Sequence, residues 1–385
     1  LICSNIKDFK FINEIFGMEK GNQVLLKQAK LMASNPSERT ICARLMNDRF
    51  ALCLPREEFD EKRVADSIKE LQREFSGNSF HLHTYIGVYE IRDRDEAVSI
   101  MVDKANIAAD TIKNNYDCCV AYYDEHLLEI SIEQRRLLGE FEPALQKDEF
   151  VMYLQPQVNR DGAAKGAEAL VRWVHPSRGI LTPYAFIDIL ENAGLIYKLD
   201  LYIWEKAAQK LAEWKEKGYG SYHISVNIST KDFYIIDIYE TFTGLINKYG
   251  IAASNLHLEI TETTLMTDFE KNMNIIHKLQ GVGFRVEIDD FGSGYSSLNM
   301  LKDISADVLK IDMGFLRKSE NEVKGQDILE SIIALAGKIG MDVITEGVET
   351  KKQLDMLTMM GCHQVQGYYF SKPVPVSEFE EKYLV

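Results

Sequence analysis

The sequence is short of positive charge: 44 Lys and Arg stand against 59 Asp and Glu, a formal net charge of -15 at pH 7. Such a surface repels nucleic acid polymers and anionic lipid, so a phosphate-bearing partner needs a local basic group or a bound metal. No stretch approaches the roughly 18 uninterrupted apolar residues of a membrane helix, so no membrane contact is expected. The opening residues LICSNIKDFKFINEIF lack the basic start, apolar centre and small-residue cleavage site of a signal peptide. The six cysteines (Cys3, Cys42, Cys53, Cys118, Cys119, Cys362) include no C-x-x-C pair and read as reduced, mostly buried thiols of a cytoplasmic protein. Low-complexity segments, Gly/Ser linkers and short-period repeats are absent. With 46% hydrophobic and 27% charged residues the composition is that of an ordinary globular protein, which excludes disordered and fibrous classes. The chain opens on Leu1 rather than methionine and enters an apolar stretch at once, which reads as a fragment of a longer polypeptide, with an upstream sensor outside it.

A length of 385 residues predicts two or three domains, or one large barrel plus a smaller unit. Up to about Tyr123 the pattern is mixed: an apolar start, a helical run Asn22–Ala33, short strands near Ala43–Leu54 and Leu82–Tyr89, and a helical run Ala97–Asn114. HLLEISIEQRRLLGEFEPAL then keeps its apolar residues at helical spacing among charges, as a helix bridging two domains does. The expected organisation is a small α+β domain over 1–125, a connecting helix over 126–145 and a larger domain over 146–385.

In the larger domain eight apolar runs alternate with helical segments: FVMYLQP, GAEALVRWV, YHISVNIS, LHLEITE, FRVEIDD, ADVLKID, MDVITEGVE and HQVQGYYF. This is the pattern of a (β/α)8 TIM-like barrel. Only NRDGAAK separates the first two runs, too short for a crossover helix, so the first strand is expected to run antiparallel.

Near the carboxyl ends of these runs stand Glu168, Asn227, Glu259, Asp289 with Asp290, Lys310, Glu346 and Gln366. Residues so placed converge on the catalytic face of a barrel. Any one of them alone reads as a helix cap or solvated loop residue; their succession points to a site. Period-two alternation sets Glu168, Leu170 and Arg172 on one strand face, and likewise Lys310 and Asp312. Crowded carboxylates repel one another unless a cation intervenes, and carboxylates with an amide and no His or Cys select Mg²⁺ or Mn²⁺ over zinc. Adjacent Asp289 and Asp290 suit a two-metal site, the usual clamp for in-line displacement at phosphorus. Lys310 is suited to hold the attacking water and Arg172 to grip phosphate. A glycoside hydrolase needs only an acid and a base or nucleophile, and does not account for Asn227, Lys310 and the Asp289–Asp290 pair together.

Glu168-Ala169-Leu170 within GAEALVRW, followed in order by VNIS, LEITET, IDDFGSGYSSL, LKID, TEGVET and QGYYFSKP, resembles the EAL family of cyclic di-GMP phosphodiesterases over 150–385. The resemblance implies hydrolysis of cyclic di-GMP to linear pGpG with Mg²⁺ or Mn²⁺, inhibition by Ca²⁺, and a homodimer through the barrel. Carried over, Glu168, Asn227, Glu259 and Asp289 are first-metal ligands, with Asp290 completing a second site; Lys310 meets the nucleophilic water, with Glu346 beside it. Gln155, Leu170 and Arg172 match substrate contacts; Glu349, Gln366 and Asp312 match groups around the nucleotide. Glu262 resembles the glutamate that organises the DFGSGYSSL loop, which would couple dimer contacts to metal binding. Departures are small: Gly-Ser-Gly in that loop, Glu287 before the aspartates and Thr345 before Glu346. The alternative within this resemblance is a catalytically silent cyclic di-GMP receptor.

Residues 1–124 resemble a GGDEF diguanylate cyclase domain through DFKFINEIFG and GNQVLLKQA, with RLMNDRFALCLP in place of the signature. Met46 and Asn47 replace the glycines, Arg49 replaces the glutamate and Asn5 a metal-binding aspartate, so no cyclase activity is expected. Asn13 and Asn22 fall at guanine-contact positions, which leaves GTP sensing or a role as a folded spacer or dimerisation unit. The Arg-x-x-Asp inhibitory motif is absent at Ser37–Thr40. His81 and His83 read as surface residues and His175 as a loop residue. Tyr368, Tyr369 and Phe370 read as closing the last strand, with one of them a candidate to stack on a guanine, although core packing accounts for most aromatics so placed.

Overall fold

The structure is a computed structural model that describes residues 1–7, 9–34, 37–76, 82–113, 115, 118–291, 304–312 and 322–384. His81 and the DFGSGYSSL loop from residue 292 onward therefore lie outside the described residues. The chain divides into two units, Leu1–Arg136 and Leu137–Val385.

The first unit contains strands β1 (Ile2–Ile6), β2 (Ile41–Arg44), β3 (Phe50–Cys53), β4 (Thr84–Val88) and β5 (Val120–Tyr122) in the order β2-β3-β1-β4-β5. Helices α1 (Phe9–Ala33), α2 (Glu61–Phe75) and α3 (Val98–Thr111) cover it. Alternation along β1 sends Ile6 into a cluster with Ile12, Val24, Leu25 and Leu71 of α1 and α2, and Cys3 toward Met101 and Ala105 of α3. Helix α3 lies directly on Gly87, where an added Cβ would stand 1.8 Å from the Ala105 carbonyl oxygen. Helix α2 was not among the expected elements: its mean hydropathy is low and only Ile68 and Leu71 are buried. Helix α1 is interrupted at Gly17 (φ 84°), a left-handed conformation that glycine adopts without penalty.

His83 corrects the surface reading. It is 1% exposed and stacks on Tyr85 at 5.6 Å, because the strand it leads into is paired on both edges and covered on both faces. The cysteines are reduced, but among them only Cys3 and Cys362 are buried and Cys42 is exposed, so "mostly buried" does not hold.

Helix α4 (Glu125–Gln146) runs through the division between the units, and its residues Leu137, Phe141 and Ala144 belong to the core of the second. There, strands β6 (Phe150–Asn159), β7 (Ala164–His175), β9 (His223–Ile228), β10 (Leu256–Thr261), β11 (Arg285–Phe291), β12 (Val308–Asp312), β13 (Asp342–Glu346) and β14 (Gln364–Val365) close into an eight-stranded barrel. The short strands β8 (Gly179–Leu181) and β15 (Val374–Pro375) add to its outside edges. The β6 strand is antiparallel to both β7 and β14, while the remaining barrel pairings are parallel, as the short first connection requires. Gly162 (φ 82°) turns that connection. Helices Ile196–Glu216, Ile238–Tyr249 and Phe269–Val282 follow β8, β9 and β10, each burying an apolar stripe against the staves. All three tryptophans, Trp173, Trp204 and Trp214, are fully enclosed in this unit.

Two expectations about this unit need correction. His175 is the last residue of β7, 7% exposed, packed on Trp173 and paired with Glu140 at 2.8 Å, rather than a loop residue. The final strand ends at Val365, so Tyr368 and Tyr369 lie beyond it and are 57% and 39% exposed, not core aromatics.

Candidate active site

The inward-facing residues of five staves meet at one ammonium. Lys310, in the middle of β12, is 1% exposed, and its Nζ lies 2.8 Å from Glu346, 2.9 Å from Glu259, 3.4 Å from Glu168 and 3.5 Å from Asp289. Register explains the convergence: Asn227 is paired with Glu259 across β9 and β10, and Asp312 with Glu346 across β12 and β13.

A second set of bonds fixes Glu168. Asn227 Nδ2 donates to Glu168 Oε1 at 3.3 Å, and Gln366 Nε2 donates to Glu168 Oε2 at 2.5 Å and to Gln155 Oε1 at 3.3 Å. Gln155 in turn donates to the Ser371 carbonyl at 3.4 Å. The reversed strand β6 places Gln155 directly opposite Glu168.

The structure thus brings Glu168, Asn227, Glu259, Asp289, Lys310, Glu346, Gln366 and Gln155 into one cluster. Asp290 follows Asp289 in a left-handed conformation (φ 56°), and the charges of Asp289 and Asp312 reach it. Leu170 lines a cavity beside Asn227. Arg172 is at the rim, its guanidinium over the Tyr153 ring at 5.5 Å and its Nη1 bonded to the Val171 carbonyl, outside the carboxylate cluster. Glu262 is 9% exposed and opens the helix Glu262–Thr267 after β10. Glu349 is exposed in the turn before helix Lys351–Met359, where its backbone N–H donates to Gln353.

The electrostatics show a surplus of negative charge. Burial works to lower the Lys310 pKa, but Asp289, Glu168, Glu259 and Glu346 overcome it and hold the ammonium charged. Burial raises the carboxyls in turn: Glu346 to about 8, and Glu259 well above the usual range with Glu168 adding to the effect. Burial and then Asp289 raise Asp290. Glu259 Oε1, on a wholly buried side chain, has no hydrogen-bond partner. Four carboxylates face one ammonium, and at least one inward-facing oxygen is unsatisfied. The set therefore fits a hard divalent cation bound through oxygen.

One region escaped the sequence reading. A cavity of about 250 Å³ is lined by Leu170, Pro183, Asp200, Trp204, Asn227 and Ser229. Asp200 faces Asp232, and burial followed by the charge of Asp232 raises its pKa well above the usual range. Asp232 accepts from both the backbone N–H and hydroxyl of Ser229 at 2.8 Å. The signal was present: Asp200 occupies the apolar face of helix Ile196–Glu216, at helical spacing from buried Ile196, Ile203 and Ala207.

The amino-terminal unit offers no comparable set at the positions of its degraded signature. Asn5 Nδ2 donates to the Tyr85 hydroxyl at 2.9 Å and its Oδ1 accepts from Ile6 N–H at 3.1 Å, so its side chain is engaged in holding the strand. Met46 is 72% exposed, and Asn47 takes the left-handed conformation (φ 53°) that a glycine would favour.

A barrel with one reversed strand and this cluster at its mouth defines a class, and comparison with known proteins agrees. The EAL domain model matches residues 139–373, and the model described as diguanylate cyclase, GGDEF domain, matches residues 1–117. The chain belongs to the EAL family, with a GGDEF domain preceding its EAL domain. It is 30% identical to the bifunctional diguanylate cyclase/cyclic di-GMP phosphodiesterase MucR of Pseudomonas aeruginosa over 98% of this chain and 56% of that protein. It is 27% identical to the cyclic di-GMP phosphodiesterase PdeR of Escherichia coli K12, over 100% of this chain and 58% of that protein. The chain thus spans just over half the length of these relatives. The solved structure of the P. aeruginosa MucR phosphodiesterase in complex with c-di-GMP is similar with a TM-score of 0.60 and 33% identity, covering 63% of this chain and 99% of that one. Among the described residues no helix is long and apolar enough to cross a membrane.

Proposed function

We propose that this chain is a cytoplasmic, Mg²⁺- or Mn²⁺-dependent phosphodiesterase that hydrolyses cyclic di-GMP to linear pGpG. The observation that carries the proposal is the buried Lys310 ammonium amid Glu168, Glu259, Asp289 and Glu346, a cluster with more negative charge than it can neutralise itself. Family membership and the phosphodiesterase relatives support it.

Glu168, Asn227, Glu259 and Asp289 would hold one divalent ion and Asp290 with Asp289 a second. When bound, such ions polarise a water molecule and neutralise phosphate oxygens. Lys310 positions the attacking water and offsets the charge that develops on the phosphoryl oxygens. Glu346, in contact with Lys310, orients that water; the Gln155–Gln366 bridge keeps Glu168 aimed inward. One bond forms from water oxygen to phosphorus and one bridging P–O3′ bond breaks. The departing 3′ oxygen takes a proton, leaving a 5′-phosphorylated linear dinucleotide. The cavity beside Leu170, which Asp200 lines, accepts one guanine. Arg172 at the rim grips the second phosphate, with Asp312 and Glu349 bordering the nucleotide, and Glu262 supports the loop after β11.

The test is direct. Purified protein with Mn²⁺ converts cyclic di-GMP to pGpG; Ca²⁺ suppresses turnover, and Glu168→Ala abolishes it with the fold intact. Tight binding without product would establish a receptor instead, and neither binding nor product would defeat the proposal. The GGDEF domain acts as a regulatory or dimerisation module, with GTP as its ligand: GTP alters the rate, and light scattering gives a dimer mass. A rate indifferent to GTP together with no GTP binding would remove that role.

A further inference from the structure

A second polar group lies inside the barrel, one layer below the cluster around Lys310. His257 and Glu287 are two residues before Glu259 and Asp289 on their strands, so they face inward like them, and His223 begins β9 at the end of the barrel opposite the mouth. One ring nitrogen of each histidine and one oxygen of Glu287 lie within 4.8 Å of one another. The two imidazoles stack face to face at 3.8 Å and 3°. Gly166 makes room for them: a Cβ there would stand 2.4 Å from the His223 ring.

The surroundings orient these groups without satisfying them. His223 Nε2 meets Gln157 Oε1 at 2.7 Å and His257 Nδ1 meets Glu287 Oε1 at 2.5 Å, while Ser225 donates to Glu287 Oε1 at 3.2 Å. The other oxygen, Glu287 Oε2, has no hydrogen-bond partner although the side chain is 0% exposed. An orphaned carboxylate oxygen in a dry interior is unfavourable, and a coordinated cation removes that penalty.

We propose that His223, His257 and Glu287 form a second metal site, buried in the floor of the barrel, that binds a borderline divalent ion such as zinc. Two imidazoles and one carboxylate are the donor set of such ions, in contrast to the all-oxygen set at the mouth. Gln157 and Ser225 serve as the outer partners that hold ligand orientation. The ion enters from the half-buried His223 end. Coordination takes one imidazole out of the stack, because a ring nitrogen binds a metal in its own plane. The site stands independently of the proposed hydrolysis, so failure of either leaves the other intact.

Cobalt(II) alone is the probe, since four-coordinate cobalt with imidazole ligands absorbs visible light far more strongly than the six-coordinate oxygen-bound ion. The unaltered chain and Glu168→Gln, crippled at the mouth, are expected to develop one equivalent of intense absorption that zinc displaces. Glu287→Gln and His223→Gln, with unchanged circular dichroism, should lose at least about tenfold of that intensity. Only weak six-coordinate absorption, or an intense band that survives both substitutions, would overturn the proposal. If the variants do not fold, crystals of the unaltered chain soaked in zinc decide it: an anomalous peak among the three side chains supports the site, and its absence refutes it.

Discussion

The two domains handle their polar residues in opposite ways. In the barrel, buried carboxylates are gathered around a buried ammonium, linked by amides and left with unspent acceptor capacity. In the GGDEF domain the substituted signature lies on an exposed hairpin: β2 is exposed throughout, Met46 is 72% exposed, and Asn5 is absorbed into strand hydrogen bonds. The difference teaches that a retained fold and a retained site are separate achievements. Both domains keep their hydrophobic clusters, but among the described residues only the barrel gathers carboxylates around a buried ammonium, a set whose burial would be unfavourable without a ligand.

The largest expected effect is on catalysis. Lys310→Ala leaves four carboxylates without their ammonium and should lower kcat by roughly a thousandfold or more, measured as pGpG release under Mn²⁺. A residual rate within tenfold of wild type would mean the ammonium only holds the empty site together. Next comes the core of the barrel. Trp173, fully buried against Phe150 at 4.7 Å and Phe186 at 5.9 Å, should cost about 4 kcal/mol when replaced by alanine, read from denaturant unfolding.

A smaller effect sits in the Asp200–Asp232 pair, which Glu191 also faces, with Asp188 and Lys231 beside Glu191 in turn. Folding raises both aspartate pKa values, burial being the first cause. The native state therefore holds a proton that the unfolded chain has already released, and stability falls as pH rises from the ordinary aspartate value toward the raised one. Asp232→Asn keeps an oxygen for Ser229 and offers an N–H to Asp200. It should raise stability by about 1 kcal/mol at neutral pH and less in mild acid. Equal gains at both pH values would show that the pair shares no proton.

The smallest effect belongs to the GGDEF hairpin. Met46→Ser should change stability by no more than about 0.5 kcal/mol, as surface substitutions do. The unaltered domain should form no cyclic di-GMP from GTP and Mg²⁺; product would break the contrast between the domains.

Much of this was legible in the sequence, for identifiable reasons. The barrel and its reversed strand follow from eight apolar runs and one seven-residue connection, because strand direction is dictated by what a short linker can span. The cluster around Lys310 was legible because parallel staves deliver residues from near their carboxyl ends to one face. Asp200 was not, since it enters from a crossover helix whose rotation against the staves is set by packing. Helix α2 buries too little apolar surface to announce itself. His83 and His175 were misjudged because histidine composition says nothing of burial; tertiary cover over β4 and the Glu140 contact decide it. Arg172 shares its alternation with Glu168 yet turns to Tyr153, since a long side chain finds partners that periodicity does not specify.

The reversed first stave also changes where the polypeptide enters the barrel. In an all-parallel barrel the incoming chain arrives at the floor, remote from the chemistry. Here Phe150, at the beginning of β6, lies beside Trp173 near the outgoing end of β7, and α4 delivers its last turn to the catalytic rim. With Leu137, Phe141 and Ala144 wedged into the barrel core, the last turns of α4 run into the stave that carries Gln155. A shift of those turns would reach the polar bridge to Glu168 without crossing the barrel.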